Sequence, residues 1–169
     1  MTLEEAHDAL HEADRLAEIR LELRQLYQEV DQAVSDLGPV CELSGRCCRF
    51  QEYGHTLFLS AAEAVLLADE APSPVRDLDA GESCPWQDAQ GRCAAREARP
   101  LGCRVYFCDP LYEEHASKLT ETFLKRLKRL ADERDWPWHY APLHEHLRAA
   151  RAAGRLDIAL DSDCLRADS

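Results

Sequence analysis

The first third of the chain carries one continuous helical pattern. Residues 3 to about 36 contain neither Gly nor Pro and are rich in Leu, Ala, Glu, Gln and Arg, all strong helix formers. From Leu16 onward the apolar positions fall at heptad spacing. Leu16, Leu23, Val30 and Leu37 make one row, and Ile19, Leu26 and Ala33 make the other. Leu3, Ala6, Leu10 and Ala13 continue a weaker stripe upstream. One long helix is predicted, stopped by Gly38-Pro39. Its stripe packs either on the chain's own C-terminal helices or, through residues 3–37, on a protein partner or a second copy.

Periodicity fades in the middle. "HTLFLS" reads as a short strand, and "SAAEAVLLADE" reads as a helix with Ser60 as N-cap and Glu63 closing a capping box. "APSPVRDLDAGES" is loop, and Pro100 with Gly102 forbids a long helix in the following stretch. Helical spacing returns with Leu119, Phe123, Leu127 and Leu130 on a helix over about 113–135. "WPWHYAP" breaks it, and a last helix runs from about Pro142 to Gly154. "RLDIALDSD" alternates as a short strand does. The expected fold is mainly α. A long N-terminal helix (1–38) and C-terminal helices (113–169) flank a loop-rich, cysteine-clustered metal-binding core (39–112) with little β structure.

Charge narrows the function. The net charge of −12 disfavours nucleic acid and anionic membrane surfaces. No run approaches the roughly 20 apolar residues of a membrane span, and the acidic N-terminus lacks the apolar core of a signal peptide. The expected location is therefore cytoplasmic, where thiols stay reduced and clustered cysteines mean metal or redox chemistry more often than disulfides.

Seven cysteines crowd into 68 residues: Cys41, Cys47, Cys48, Cys84, Cys93, Cys103 and Cys108. No C-x2-C pair occurs, so a standard zinc ribbon is disfavoured. An irregular four-thiolate zinc site or an iron–sulfur cluster, whose ligands come from scattered loops, remains open. The two cysteine-bearing stretches, 41–50 and 84–108, hold six arginines against three acids. Arginine there offsets thiolate charge and donates to sulfur, with Arg99 and Arg104 the foremost candidates. On an extended backbone Cys47 and Cys48 point to opposite faces, so one of them is a ligand and the other a core thiol unless the chain bends. Cys164 lies apart in the tail. His7 and His11 share a helix face among glutamates and read as solvated. His144 and His146 do not converge, and His55 and His115 are the histidines nearest the cysteines. No hydrolase triad, H-E-x-x-H or phosphate loop is present.

The stretches "CELSGRCCRF" and "CPWQDAQGRCAAREARPLGCRVYFC" resemble the YkgJ cysteine-cluster family, described as a zinc- or iron-chelating domain. The resemblance covers about residues 41–108 and is most specific at Arg99-Pro100, Cys103-Arg104 and Cys108. Ser44 stands where the family has another cysteine. The resemblance implies a bound zinc, iron or iron–sulfur centre with a structural, electron-transfer or sensing role. One branch resembles a flagellin lysine methylase, but no methyl-donor motif is visible here. A metal-dependent enzyme and an interaction module stapled by a metal are the alternatives.

Overall fold

The computed structural model describes residues 1–39, 45–79 and 81–159. Six helices among them make the protein mainly helical: α1 (Leu3–Leu10), α2 (Ala13–Leu37), α3 (Ala61–Glu70), α4 (Leu101–Val105), α5 (Glu113–Arg134) and α6 (Leu143–Ala152). Strands β1 (Phe58–Ser60) and β2 (Tyr140–Pro142) pair antiparallel, with Leu59 opposite Ala141.

The predicted single N-terminal helix is two helices. Thr2 and Glu5 form a reciprocal capping box that opens α1. The chain leaves helical geometry at Glu12, with ψ 139°. Nothing local demands this break. It follows from packing: α1 lies on α3 and α6, whereas α2 lies on α3, α4 and α5. A straight helix over 3–37 would run about 50 Å and could not bury Ala6, His7 and Leu10 where they now sit. Tertiary burial overrides propensity here.

Most of the heptad stripe is buried inside the chain, with Leu16 and Ala33 partly covered and Leu37 at its end exposed. Ile19, Leu23, Leu26, Tyr27, Val30 and Val34 join Phe123, Leu127 and Trp136 in one hydrophobic cluster. The seam proposed for a partner is thus occupied by the chain's own helices. A second cluster gathers Cys48, Phe50, Leu59, Trp86, Leu143 and Leu147. Helix α3 serves both, giving Val65 and Leu66 to the first and Ala64 and Leu67 to the second. The three predicted segments therefore interleave.

The capping box of Ser60 and Glu63 is present as predicted. Glu63 is buried and does more than cap. It accepts from Tyr27 Oη on α2 at 3.1 Å and from Leu101 N at the start of α4 at 2.8 Å. Burial pushes its carboxyl above the ordinary range despite these donors. "WPWHYAP" does end α5, but it also supplies β2, which sequence reading missed. The ladder continues past the strands through Ala61 N to His139 O and Leu143 N to Leu57 O. No strand forms over 155–159, and the rest of "RLDIALDSD" lies outside the described residues. No helix among the described residues is long and apolar enough to cross a membrane.

Candidate metal centre

The cysteines reach one place through three loops. The first turns at Gly45, whose φ of +74° suits glycine. A Cβ there would come within 2.6 Å of Gln87 Nε2 and of Gly91 O, so this loop seats directly on the second. Gln87 Nε2 donates to Gly45 O at 2.9 Å, and Cys84 N donates to Cys48 O at 2.8 Å. The next three residues, Arg46–Cys48, form a single 3-10 turn. That turn corrects the extended reading of Cys47-Cys48: the two Sγ atoms lie 3.9 Å apart on the same side. The second loop folds over fully buried Trp86 and returns by a bridge between Gln87 and Cys93. The third begins at Pro100, the N-cap of α4, and carries Cys103 and then Cys108.

A cavity of about 210 Å³ is lined by all six described cysteines: Cys47, Cys48, Cys84, Cys93, Cys103 and Cys108. None of the six is in a disulfide. Cys41 lies outside the described residues, as does Cys164. The remaining wall is largely apolar, with Phe50, Leu67, Trp86 and Leu143, and Arg92, Arg96 and Arg99 also face it. Cys48 lies 3.9 Å from Cys47, Sγ to Sγ, and Cys47, Cys84 and Cys93 all act on its thiol. The neighbouring Cys48 thiol, whose single proton serves one partner at a time, lowers Cys47 to about 7 and Cys93 to about 6 against opposing burial, and Arg99 adds to both shifts. Its own thiol is pushed up by these neighbours, Cys47 foremost. Burial pushes the Cys103 thiol well above its ordinary value, although as a wall residue it keeps some exposure.

The donor chemistry suits a thiophilic metal. A Zn–S bond of about 2.3 Å sets a tetrahedral edge of roughly 3.8 Å, and the Cys47–Cys48 separation of 3.9 Å matches one such edge. Complete convergence is not present. Among the described residues, no group of three or more His, Cys, Asp or Glu side chains stands in metal-holding geometry. Cys47 and Cys48 are in contact, and the other described thiols line the cavity with them.

The two arginine candidates separate. Arg99 lines the cavity. Arg104 does not: it is buried, pairs with Asp31 on α2 at 2.8 Å, donates to the carbonyls of Arg99 and Glu97, and lies 4.2 Å from the Tyr27 ring centroid. Its role is to clamp α4 to α2. His55 bonds Cys47 O at 3.4 Å and packs between Phe50 and Tyr106 at the cavity's edge. His115 is exposed on α5.

The solvated reading of His7 is overturned. His7 is fully buried, and its Nε2 meets His146 Nδ1 at 3.0 Å. His146 Nε2 in turn meets Leu59 O at 2.9 Å. A carbonyl only accepts, so His146 Nε2 carries its proton and His146 Nδ1 accepts from His7 Nε2. Burial pushes both rings down to about 4. The pair fixes α1 to α6 and β1, and only its 139-residue separation hid it from sequence reading.

A second, larger groove of about 860 Å³ adjoins the thiol cavity and shares Cys47, Cys103, Cys108 and Tyr106 with it. Sequence reading missed this groove, because its walls come from β1 and α5, far apart in the chain. No family model, no curated protein and no solved structure matches this chain.

Proposed function

We propose that this is a metal-binding protein whose cysteine-lined cavity holds a metal–thiolate centre. One observation carries the reading: six cysteines from three separate loops, none of them in a disulfide, line a single largely apolar cavity. Isolated thiols are often core filler, but filler has no reason to gather. The cavity, about 210 Å³, offers far more room than one bare ion fills, which favours an iron–sulfur cluster over a lone zinc. Four thiolates leave such a centre with net negative charge, and the guanidinium of Arg99 at the wall offsets it. The resemblance to the YkgJ family, described as zinc- or iron-chelating, supports a bound metal without choosing between the two. A role in structure, electron transfer or sensing follows.

A second reading, a metal-dependent enzyme, draws support from the groove that opens beside Cys47, Cys103 and Cys108. An open coordination position facing that groove would distinguish it from a closed structural site.

The test is anaerobic purification followed by absorption spectroscopy and elemental analysis. A brown protein with about four iron and four sulfide per chain is the expected result. Stoichiometric zinc in a colourless protein would replace the cluster with zinc. A folded, air-protected protein that takes up neither metal would overturn the proposal.

A further inference from the structure

The larger groove has a chemistry of its own. One wall is a single face of α5: Glu113, Ala116, Ser117, Thr120, Glu121 and Leu124 follow helical spacing along it. The opposite wall is Thr56, Leu57 and Phe58, with Tyr140 beside them. Phe58, Tyr140 and Tyr106 each leave more than a third of their surface exposed. Phe58 stacks on Tyr140 with ring centroids 5.7 Å apart, and Tyr140 stacks on Trp138 at 5.9 Å. The charged residues of the lining are Asp109, Glu113 and Glu121, and no Lys or Arg is among the described residues that line it. Tyr106 packs in turn against His55, so these rings offer apolar edges, which beside carboxylates suit the aliphatic stem and charged head of Lys or Arg.

We infer that this groove binds an extended, basic segment of another protein. The dimensions favour a peptide. The α5 wall from Glu113 to Leu124 rises about 16 Å, the length of about five residues of extended chain. Glu113 and Glu121 lie about 12 Å apart along that axis, so they face basic residues about four positions apart. Such residues project from the same side of an extended strand. The volume, about 860 Å³, exceeds what a small polyamine fills. Glu121 is paired with Lys125 at 2.8 Å, but both are exposed, and an exposed pair yields readily to a competing cation. Ser117 and Thr120 donate to carbonyls of their own helix, so the small residues of that face supply shape and not charge. The inference goes beyond the metal reading and does not depend on it.

The experiment is fluorescence anisotropy on the full chain, with a labelled short peptide carrying Lys at positions i and i+4. Counterparts carry Gln or Glu at those positions. The Lys peptide is expected to bind about tenfold or more tighter than the Gln peptide at low salt. The exposed double substitution Glu113→Gln/Glu121→Gln is expected to weaken binding roughly five- to tenfold. Tyr140→Ala is expected to weaken it about threefold. The control Glu4→Gln/Glu133→Gln removes the same charge from residues outside the groove and is expected to change little. Equal losses in both double variants would mean attraction by overall charge, and the inference would fall. It would also fall if Lys and Gln peptides bound alike, or if free spermidine displaced the peptide at the peptide's own dissociation constant. Metal is measured on the same sample. Peptide binding by metal-free protein upholds this inference alone, and failure by metal-loaded protein overturns it alone.

Discussion

Arg104 shows how much a single side chain can mislead when read by neighbourhood. In sequence it sits beside Cys103, and the charge argument assigned it to the metal. In the structure its guanidinium is buried, held by Asp31, two carbonyls and the face of Tyr27. The i-to-i+1 step on α4 explains the split: Cys103 faces the cavity and Arg104 the opposite side, toward α2. Arg104→Gln should therefore destabilise the fold by about 1–3 kcal/mol, since the part-buried carbonyls of Arg99 and Glu97 lose a charged donor. Asp31 is half exposed and rehydrates, so it adds little. A urea midpoint series measures the loss, and metal content per folded chain should stay unchanged. Lost metal with unaltered stability would instead place Arg104 at the centre. Gly45 is the opposite case. Its position between cysteines was visible, but the 2.6 Å approach of Gln87 and Gly91 that requires a glycine was not.

At the scale of elements, the hydrogen-bonded pair of His7 and His146 makes α1 pH-sensitive. Both rings have an ordinary value of about 6.5 unfolded and are pushed down to about 4 in the fold. Between these values the unfolded chain binds protons that the folded chain refuses. Stability thus rises with pH across this window, is fully present above about 6.5, and is lost as pH falls toward 4. His11, also lowered to about 4, acts with the same sign. Glu63, raised by burial, acts with the opposite sign above its ordinary value. Going from pH 7 to pH 5 should cost about 2 kcal/mol for one such histidine, and the coupled pair is not additive. Urea unfolding at both pH values checks this, and His7→Gln should flatten the dependence. An unchanged dependence would mean that the pair titrates normally. Elements whose signals are local were legible in sequence: the Ser60–Glu63 box, the stop at Gly38 with φ +63°, and the α5 stripe. Those created by distant contacts were not. The break at Glu12 has no Gly or Pro to announce it, and β2 is visible only once β1 lies beside it. Six of the seven clustered cysteines line one cavity, but their loop order and the turn that brings Cys47 beside Cys48 depend on folding.

For the whole molecule, the question is whether the N-terminal helices are an arm or part of the core. The structure makes them core. Ile19, Leu23 and Val30 are fully buried, and α2 supplies both partners, Tyr27 and Asp31, that hold α3 and α4 in place. Helix α4 carries Cys103, so the thiol cavity depends on α2 without touching it. Removing residues 1–37 should therefore leave a chain that neither folds nor retains metal. Leu23→Ala, by opening a cavity in the first cluster, should cost about 2–5 kcal/mol. Because most of the heptad stripe is already covered within the chain, sedimentation should find the protein monomeric, and Leu23→Ala should leave that state unchanged. Far-UV circular dichroism of the truncated chain supplies the other half of the test. A truncated chain that stays helical and holds metal, together with an intact chain that dimerises, would return the stripe to the role of a seam between copies.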